Sequence, residues 1–253
     1  MTTQKPYGTV LIKASLILDH LSSSNGPQSL QSIAKETGLT SSTALKILDT
    51  LVLIGYVQKD PELKRFSLGP SIIKYALKAL SQLDIKQIAQ PHLEAFQART
   101  NETVHLGILD HIHVVYVAKI ESQNPVCLYS KVGKNIPLYC SAMGKAILAD
   151  QSDEEIRRYL NSIEMVRMTD NTITTHEGFF DEIEKVRAQG YAFDDSEHEN
   201  EVFCVGTAIT TSGGKNVGAI SVSVPTYRLT DEVLQNLIKE VETCRNNILN
   251  DLE

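Results

Sequence analysis

Apolar residues in this chain follow two rhythms, a helical one in the N-terminal part and an alternating one in much of the C-terminal part. Val10, Ala14, Ile17, Leu18 and Leu21 recur at helical spacing and predict a helix over residues 8–22. The run Ser22-Ser23-Ser24-Asn25-Gly26-Pro27 breaks it. Ser29 then stands as the N-cap of a second helix, with Leu30, Ile33 and Ala34 on its apolar face and Gly38 at its end. Only Leu39 separates Gly38 from Thr40, the N-cap of a third helix that runs to about Ile54. Its expected buried stripe is Ala44, Ile47, Leu48, Leu51 and Ile54. Two short helices joined by so tight a glycine turn form a helix-turn-helix pattern. Tyr56-Val57-Gln58 and Arg65-Phe66-Ser67-Leu68 read as strands around a charged turn, a hairpin or wing, and Gly69-Pro70 closes the domain.

Residues 71–82 predict a connecting helix with Ile72, Ile73, Ala76, Leu77 and Leu80 on one side. Residues 84–100 predict another, with Pro91 placed to begin a helix rather than interrupt one. From residue 103 the period shifts. Val104–Leu109 and Val114–Ile120 read as strands around a turn at Asp110-His111, and Val126–Lys131 as a third. Helices are expected at Ser141–Leu148, Asp153–Leu160 and Phe179–Ala188. Strands Val202–Thr210 and Gly218–Val224 flank the turn Gly213–Asn216, and residues 230–249 form the last helix. Hairpins imply an antiparallel sheet, so the fold class is α+β. The expected organisation is a winged helix-turn-helix domain over 8–69, a linker helix over 70–83 and a second domain over 84–253.

Charge sharpens this picture. The 253-residue chain carries a net charge of −7, yet residues 1–80 carry +4 and the remainder −11. A basic head on an acidic body suits a DNA-binding module attached to one that does not bind DNA. No run approaches the roughly 18 apolar residues of a membrane span. The N-terminus lacks the apolar region and cleavage site of a secretory signal, so a cytoplasmic protein without membrane contact is expected. Cys127, Cys140, Cys204 and Cys244 contain no C-x-x-C pair, which argues against a disulfide framework or a cysteine-rich zinc site. No cofactor or metal is expected.

A helix capped at Thr40 directs its first backbone N–H groups and positive dipole end outward, where phosphate oxygens bind well. Ser41, Ser42 and Thr43 add hydroxyls in its first turn, and Lys46 shares their face. Such a surface fits a major groove about 12 Å wide. Leu45 belongs to the same reading surface, and Lys59, Lys64 and Arg65 on the hairpin can reach flanking phosphates.

The segment Leu30–Leu39, followed by Ser42-Thr43 and Lys46-Ile47-Leu48, resembles the recognition segment of the IclR-type bacterial regulators. Further matches occur in the family's order: Tyr56-Val57, Phe66–Gly69, Asn101–Leu106, Val114–Val117, Val132-Gly133, Pro137-Leu138, Gly144–Ala149 and Gly190-Tyr191-Ala192. The resemblance spans roughly residues 8–228. It implies a GAF-like α/β effector-binding domain that takes small organic or sugar acids. It also implies a repressor that binds a double-stranded operator as a homodimer or as a tetramer built from two dimers. The site residues it implies are the turn Ser141-Ala142-Met143-Gly144, whose N–H groups would nest a carboxylate, together with Asp194, Cys204, Ser221 and Ser223. Ser221 and Ser223 are two apart and therefore point to one side of their strand. Where the family tends to carry proline, arginine, glycine and proline, this chain has Thr40, Lys46, Glu201 and Ala208. Lysine at 46 keeps the charge but not a bidentate guanine contact.

Three segments carry rival chemistry. The run Asp194–Glu201 holds five carboxylates and His198; it could bind a cation with His105, His111 or His113, but a solvated acidic loop is the expected reading. His111 and His113 are expected as exposed turn residues. Cys204 with His198 or His105 as base would make a thiol enzyme, though no nucleophile–base spacing or phosphate loop is recognisable. A third possibility is a sensory module whose helix-turn-helix only mediates dimerisation.

Overall fold

The computed structural model of the protein describes residues 7–82, 84–124 and 130–252. The chain divides into two units, Met1–Gln82 and Leu83–Glu253. In the first, helices α1 (Thr9–Ser23), α2 (Leu30–Glu36) and α3 (Ser41–Leu53) pack on a small sheet of β1 (Gln28–Ser29), β2 (Val57–Lys59) and β3 (Arg65–Leu68). Both expected caps form: Ser29 Oγ accepts the Ser32 N–H at 3.1 Å, and Thr40 Oγ1 accepts the Thr43 N–H at 3.2 Å. Each satisfies a donor that the first helical turn leaves unbonded. Ile17, Leu21, Ile33, Ala44, Leu48, Leu51, Val57 and Phe66 close the core. Val10 and Ile54 stay out of it, 54% and 48% exposed, because each lies at a helix end beyond the reach of the core. The strand β1 is too short to show a period in sequence. It exists because Gln28 and Ser29 pair antiparallel with Phe66 and Arg65, making β3 the central strand.

Helix α4 (Ser71–Ser81) comes after the wing. No residue of it is buried, and Ile73, Tyr75 and Leu77 are more than half exposed.

The second unit is built on a six-stranded antiparallel sheet in the order β6-β5-β4-β9-β8-β7. Its strands are β4 (Thr103–Asp110), β5 (His113–Ile120), β6 (Asn135–Pro137), β7 (Ala192–Asp195), β8 (Val202–Thr210) and β9 (Asn216–Pro225). Helices α5 (Asp84–Thr100) and α9 (Asp231–Leu252) pack together on one face. On the other lies α6 (Ala142–Ala149), with α7 (Asp153–Ser162) and α8 (His176–Gln189) completing a core with Phe179, Ile183 and Ile156. The expected strand Val126–Lys131 falls largely on 125–129, outside the described residues; Ser130 and Lys131 have no strand structure.

Pro91 corrects the sequence reading: it sits inside one continuous helix rather than starting one. A helix-interior proline costs about 3 kcal/mol. Complete burial of Leu93 and Phe96, each contributing about 1.5–3 kcal/mol, offsets that cost.

Candidate nucleic-acid interface and effector cavity

On α3, Ser41, Ser42 and Lys46 are exposed, Thr43 and Leu45 are half-buried, and Ala44, Ile47 and Leu48 face the core. Thr40 both caps the helix and donates its hydroxyl to Thr43 Oγ1 at 2.9 Å, which fixes the first turn. Asp49 and Thr50 complete the exposed face; Thr50 is tied to the Lys46 carbonyl, while Asp49 brings a carboxylate that the sequence reading passed over.

The wing is ordered by Asp60, whose Oδ1 accepts the N–H groups of Glu62 and Leu63, and by Lys64 in the left-handed region at φ 51°. Lys59, Lys64 and Arg65 are exposed. Two of them also have local contacts. Lys59 lies over the Phe66 ring at 5.3 Å, and Arg65 Nη1 donates to the Pro27 carbonyl at 3.4 Å.

In the second unit, Asp194, Cys204 and Ser223 line one cavity of about 30 Å³ together with His105, Tyr116, Ser130 and His198. Strand register explains the convergence. Asp194 pairs with Cys204, Cys204 with Ser223, and His105 with Ser221, so alternation sends these side chains to the face that α6 covers. Ser221 is buried in that same row without lining the cavity. The turn Ser141–Gly144 also stands outside the lining. Ser141 Oγ caps α6 by accepting the Gly144 N–H at 3.2 Å and donates to the Pro137 carbonyl. Ala142 and Met143 press against β8 at Gly206, where a Cβ would lie 2.9 Å from the Ala142 carbonyl carbon. A Cβ on Gly144 would overlap the backbone of Leu138.

Lys134 and Glu199 also line the cavity, and among its other groups burial favours the neutral form of His105, Asp194 and Cys204. Burial, helped by the Lys119 charge, holds the His105 imidazole down at about 3. Its Nε2 meets Ser130 Oγ at 2.8 Å, while its buried Nδ1 has no hydrogen-bond partner among the described residues. Burial and the nearby Glu197 raise the Asp194 carboxyl to about 7, although its Oδ1 accepts the N–H groups of Glu197 and His198. Burial also pushes the Cys204 thiol well up, and its Sγ lies 3.1 Å from Ser223 Oγ. A neutral thiol bonded to a hydroxyl is a hydrogen-bonding group, not a prepared nucleophile.

The acidic run also departs from the solvated loop expected of it. Asp194 and Glu197 are buried, and Glu197 Oε1 takes a 2.5 Å bond from Lys145 Nζ. Among the described residues no cluster of three or more His, Cys, Asp or Glu side chains could hold a metal ion. His111 is exposed at the hairpin turn, as expected, but His113 is not a turn residue: it opens β5, half-buried and paired with Pro137 of β6. The sequence reading weighed His105 only as a metal ligand or a base. It comes here because it pairs directly with Ser221 across the β4–β9 ladder, a register with no signature along the sequence. No helix among the described residues is long and apolar enough to cross a membrane.

The comparisons with known proteins agree over both units. The family model described as bacterial transcriptional regulator IclR C-terminal matches residues 77–250, and the IclR helix-turn-helix domain matches residues 10–61. The DNA-binding transcriptional repressor YiaJ of Escherichia coli K12 is 32% identical over 253 residues, covering 98% of this chain and 90% of that protein. The crystal structure of the Thermotoga maritima IclR covers 97% of this chain and 99% of its own, with a TM-score of 0.73 and 32% identity. An IclR homolog from Microbacterium hydrocarbonoxydans, crystallised with 4-hydroxybenzoate, shares the fold at a TM-score of 0.78 and 23% identity, covering 96% of this chain and 98% of that one.

Proposed function

The chain belongs to the IclR family of bacterial transcriptional regulators, and from that premise we propose that it is a cytoplasmic repressor whose grip on an operator is set by a small acid bound in its second unit. In this reading residues 8–69 are the DNA-binding domain, 70–83 the linker and 84–253 the effector domain. The observation that carries it is the polar face of α3: a capped helix start at Thr40, with Ser41, Ser42 and Lys46 exposed and the apolar stripe turned inward. Helix α3 enters the major groove with Thr40, Ser41, Ser42, Thr43, Leu45 and Lys46 toward the bases and nearest phosphates. Lys59, Lys64 and Arg65 hold flanking phosphates from the wing.

Two related half-sites about one helical turn apart require two symmetry-related heads. The exposed Ile73 and Leu77 on α4 supply an apolar seam for pairing, as a homodimer or as two dimers in a tetramer.

The effector is a hydroxylated organic or sugar acid. Asp194, Cys204 and Ser223 present hydrogen-bonding groups in the cavity, and His105, which also lines it, has its buried Nδ1 without a partner among the described residues. Ser221, paired with His105, and the turn Ser141–Gly144, packed on Gly206, act in this reading as neighbours of the cavity and not as its lining. The complex of the Microbacterium homolog with 4-hydroxybenzoate supports a carboxylic acid as the ligand class.

Binding to DNA fragments from the chain's own upstream region, titrated across salt, tests the regulator reading. Affinity should fall steeply with salt, and no retardation at low salt with any genomic fragment would overturn it. A thermal-shift screen of sugar acids and hydroxybenzoates tests the effector reading, since a ligand specific to the folded state raises the melting temperature.

A further inference from the structure

Lys145 is completely buried, yet it carries a charge between two carboxylates. Its Nζ lies 2.5 Å from Glu197 Oε1 and 3.0 Å from Glu182 Oε1. These three residues belong to three different elements: α6, α8 and the loop between β7 and β8. Burial opposes the ammonium, but Glu197 and Glu182 outweigh it, so its pKa is raised and the charge persists. A desolvated cation with two partners is costly to build and costly to break, and its use is to fix one arrangement of the groups it joins.

The arrangement fixed here is the wall of the cavity. Glu197 N and His198 N both donate to Asp194 Oδ1, so the position of Glu197 sets the position of the Asp194 carboxyl. A second set of ties holds the loop backbone: Thr172 Oγ1 donates to the Glu197 carbonyl at 2.7 Å, and Thr169 Oγ1 to the Ser196 carbonyl at 2.6 Å. Lys145 is the tether to the α6 face of the sheet. About 30 Å³ of cavity has room for little more than a water or two, so an acid of several carbons must shift a wall. Glu197 Oε2 is buried with no hydrogen-bond partner among the described residues, which leaves this wall the less fully bonded end of the triad.

We propose that Lys145 is the positioning residue of the effector cavity, holding the β7–β8 loop through Glu197 so that Asp194 keeps its place against Cys204 and Ser223. The functional consequence rests on reading this cavity as the effector site; the tether itself does not. Loosening it should admit reagents to Cys204 without opening the rest of the unit.

The test is alkylation of the full-length protein by iodoacetamide, followed residue by residue by mass spectrometry. Cys204, half-buried in the parent protein, is the reporter whose parent rate sets the baseline, and buried Cys244 on α9, across the sheet, is the internal reference. Lys145→Met should speed alkylation of Cys204 by about tenfold and leave Cys244 within about twofold, the pattern of a local opening. Should that variant not fold, adding Glu182→Gln and Glu197→Gln removes the stranded carboxylates while keeping the tether absent, and the same pattern is expected. An unchanged Cys204 rate, or both thiols accelerating together in the triple variant, overturns the proposal. A screen in which no carboxylic acid binds would remove the effector reading and leave the thiol ratio standing.

Discussion

Asp194 and His105 line the same cavity with their ionisations displaced in opposite senses: the carboxyl is raised to about 7 and the imidazole lowered to about 3. Both displacements have burial as their first cause, and both favour the neutral form. Their effects on stability oppose each other. The Asp194 contribution is fully present below its ordinary 3.8 and is lost as pH rises toward 7. The His105 contribution is present above its ordinary 6.5 and is lost as pH falls toward 3.

From pH 4 to 6.5 the two slopes should largely cancel. Asp194→Asn keeps an acceptor for the Glu197 and His198 N–H groups and removes the titration. It should leave a stability that rises with pH by up to about 1.4 kcal/mol per unit across this window. His105→Gln should leave the mirror image, a stability that falls. Urea unfolding followed at intervals of pH checks both; parallel profiles for the two variants would refute the opposed displacements.

Thr40 joins the stability of α3 to its proposed use. Thr40→Ala removes the acceptor for the Thr43 N–H and should cost about 1 kcal/mol of stability in the first unit. Thr40→Ser keeps the oxygen and should restore most of it. Operator affinity should fall in the same order, because the first turn of α3 is the part placed in the groove. Denaturant midpoints and gel retardation on the same preparations measure the two effects side by side.

Lys46→Ala should weaken operator binding by about tenfold or more and lower the salt slope by about one ion per half-site, about two for a paired molecule on both half-sites, since each head loses one cation from the phosphate field. Lys46→Arg should recover the salt slope. Oligomer size, read by light scattering, should be unchanged in both. A Lys46→Ala protein that binds as the parent does would remove this face of α3 from the interface and favour a helix-turn-helix used only for pairing.

The helix-turn-helix was legible in the sequence because its signals are local. Ser29 and Thr40 cap within three residues of their targets, and Ile33, Ala44, Ile47 and Leu48 keep a helical period against one core. The three short strands β1, β6 and β7 left no such trace. Each exists by pairing with a strand made elsewhere, as Gln28 does with Phe66 and Asp194 with Cys204. The family resemblance located Asp194, Cys204 and Ser223, and strand register explains why they meet. Lys145 and Glu197 were beyond reach because an ion pair buried between a helix and a loop 52 positions away has no signature along the chain. Charge composition misled at that point: a run of five carboxylates reads as solvated until its buried cation is found.

Helix α4 supplies the remaining prediction. A helix with Ile73 and Leu77 each about 60% exposed leaves apolar area in water that a second copy could remove, at about 25 cal/mol per Å². Pairing through this surface would also set the separation of two α3 helices, so one substitution should act on assembly and on DNA together. Ile73→Glu with Leu77→Glu puts like charges on one helix face across the seam and should shift the chain toward monomer at micromolar concentration. Affinity for a two-half-site operator should fall much further than affinity for a single half-site. The melting temperature of the second unit should stay put, because neither side chain is buried in the chain's own core. Light scattering that finds the paired state intact would move the seam elsewhere on the molecule.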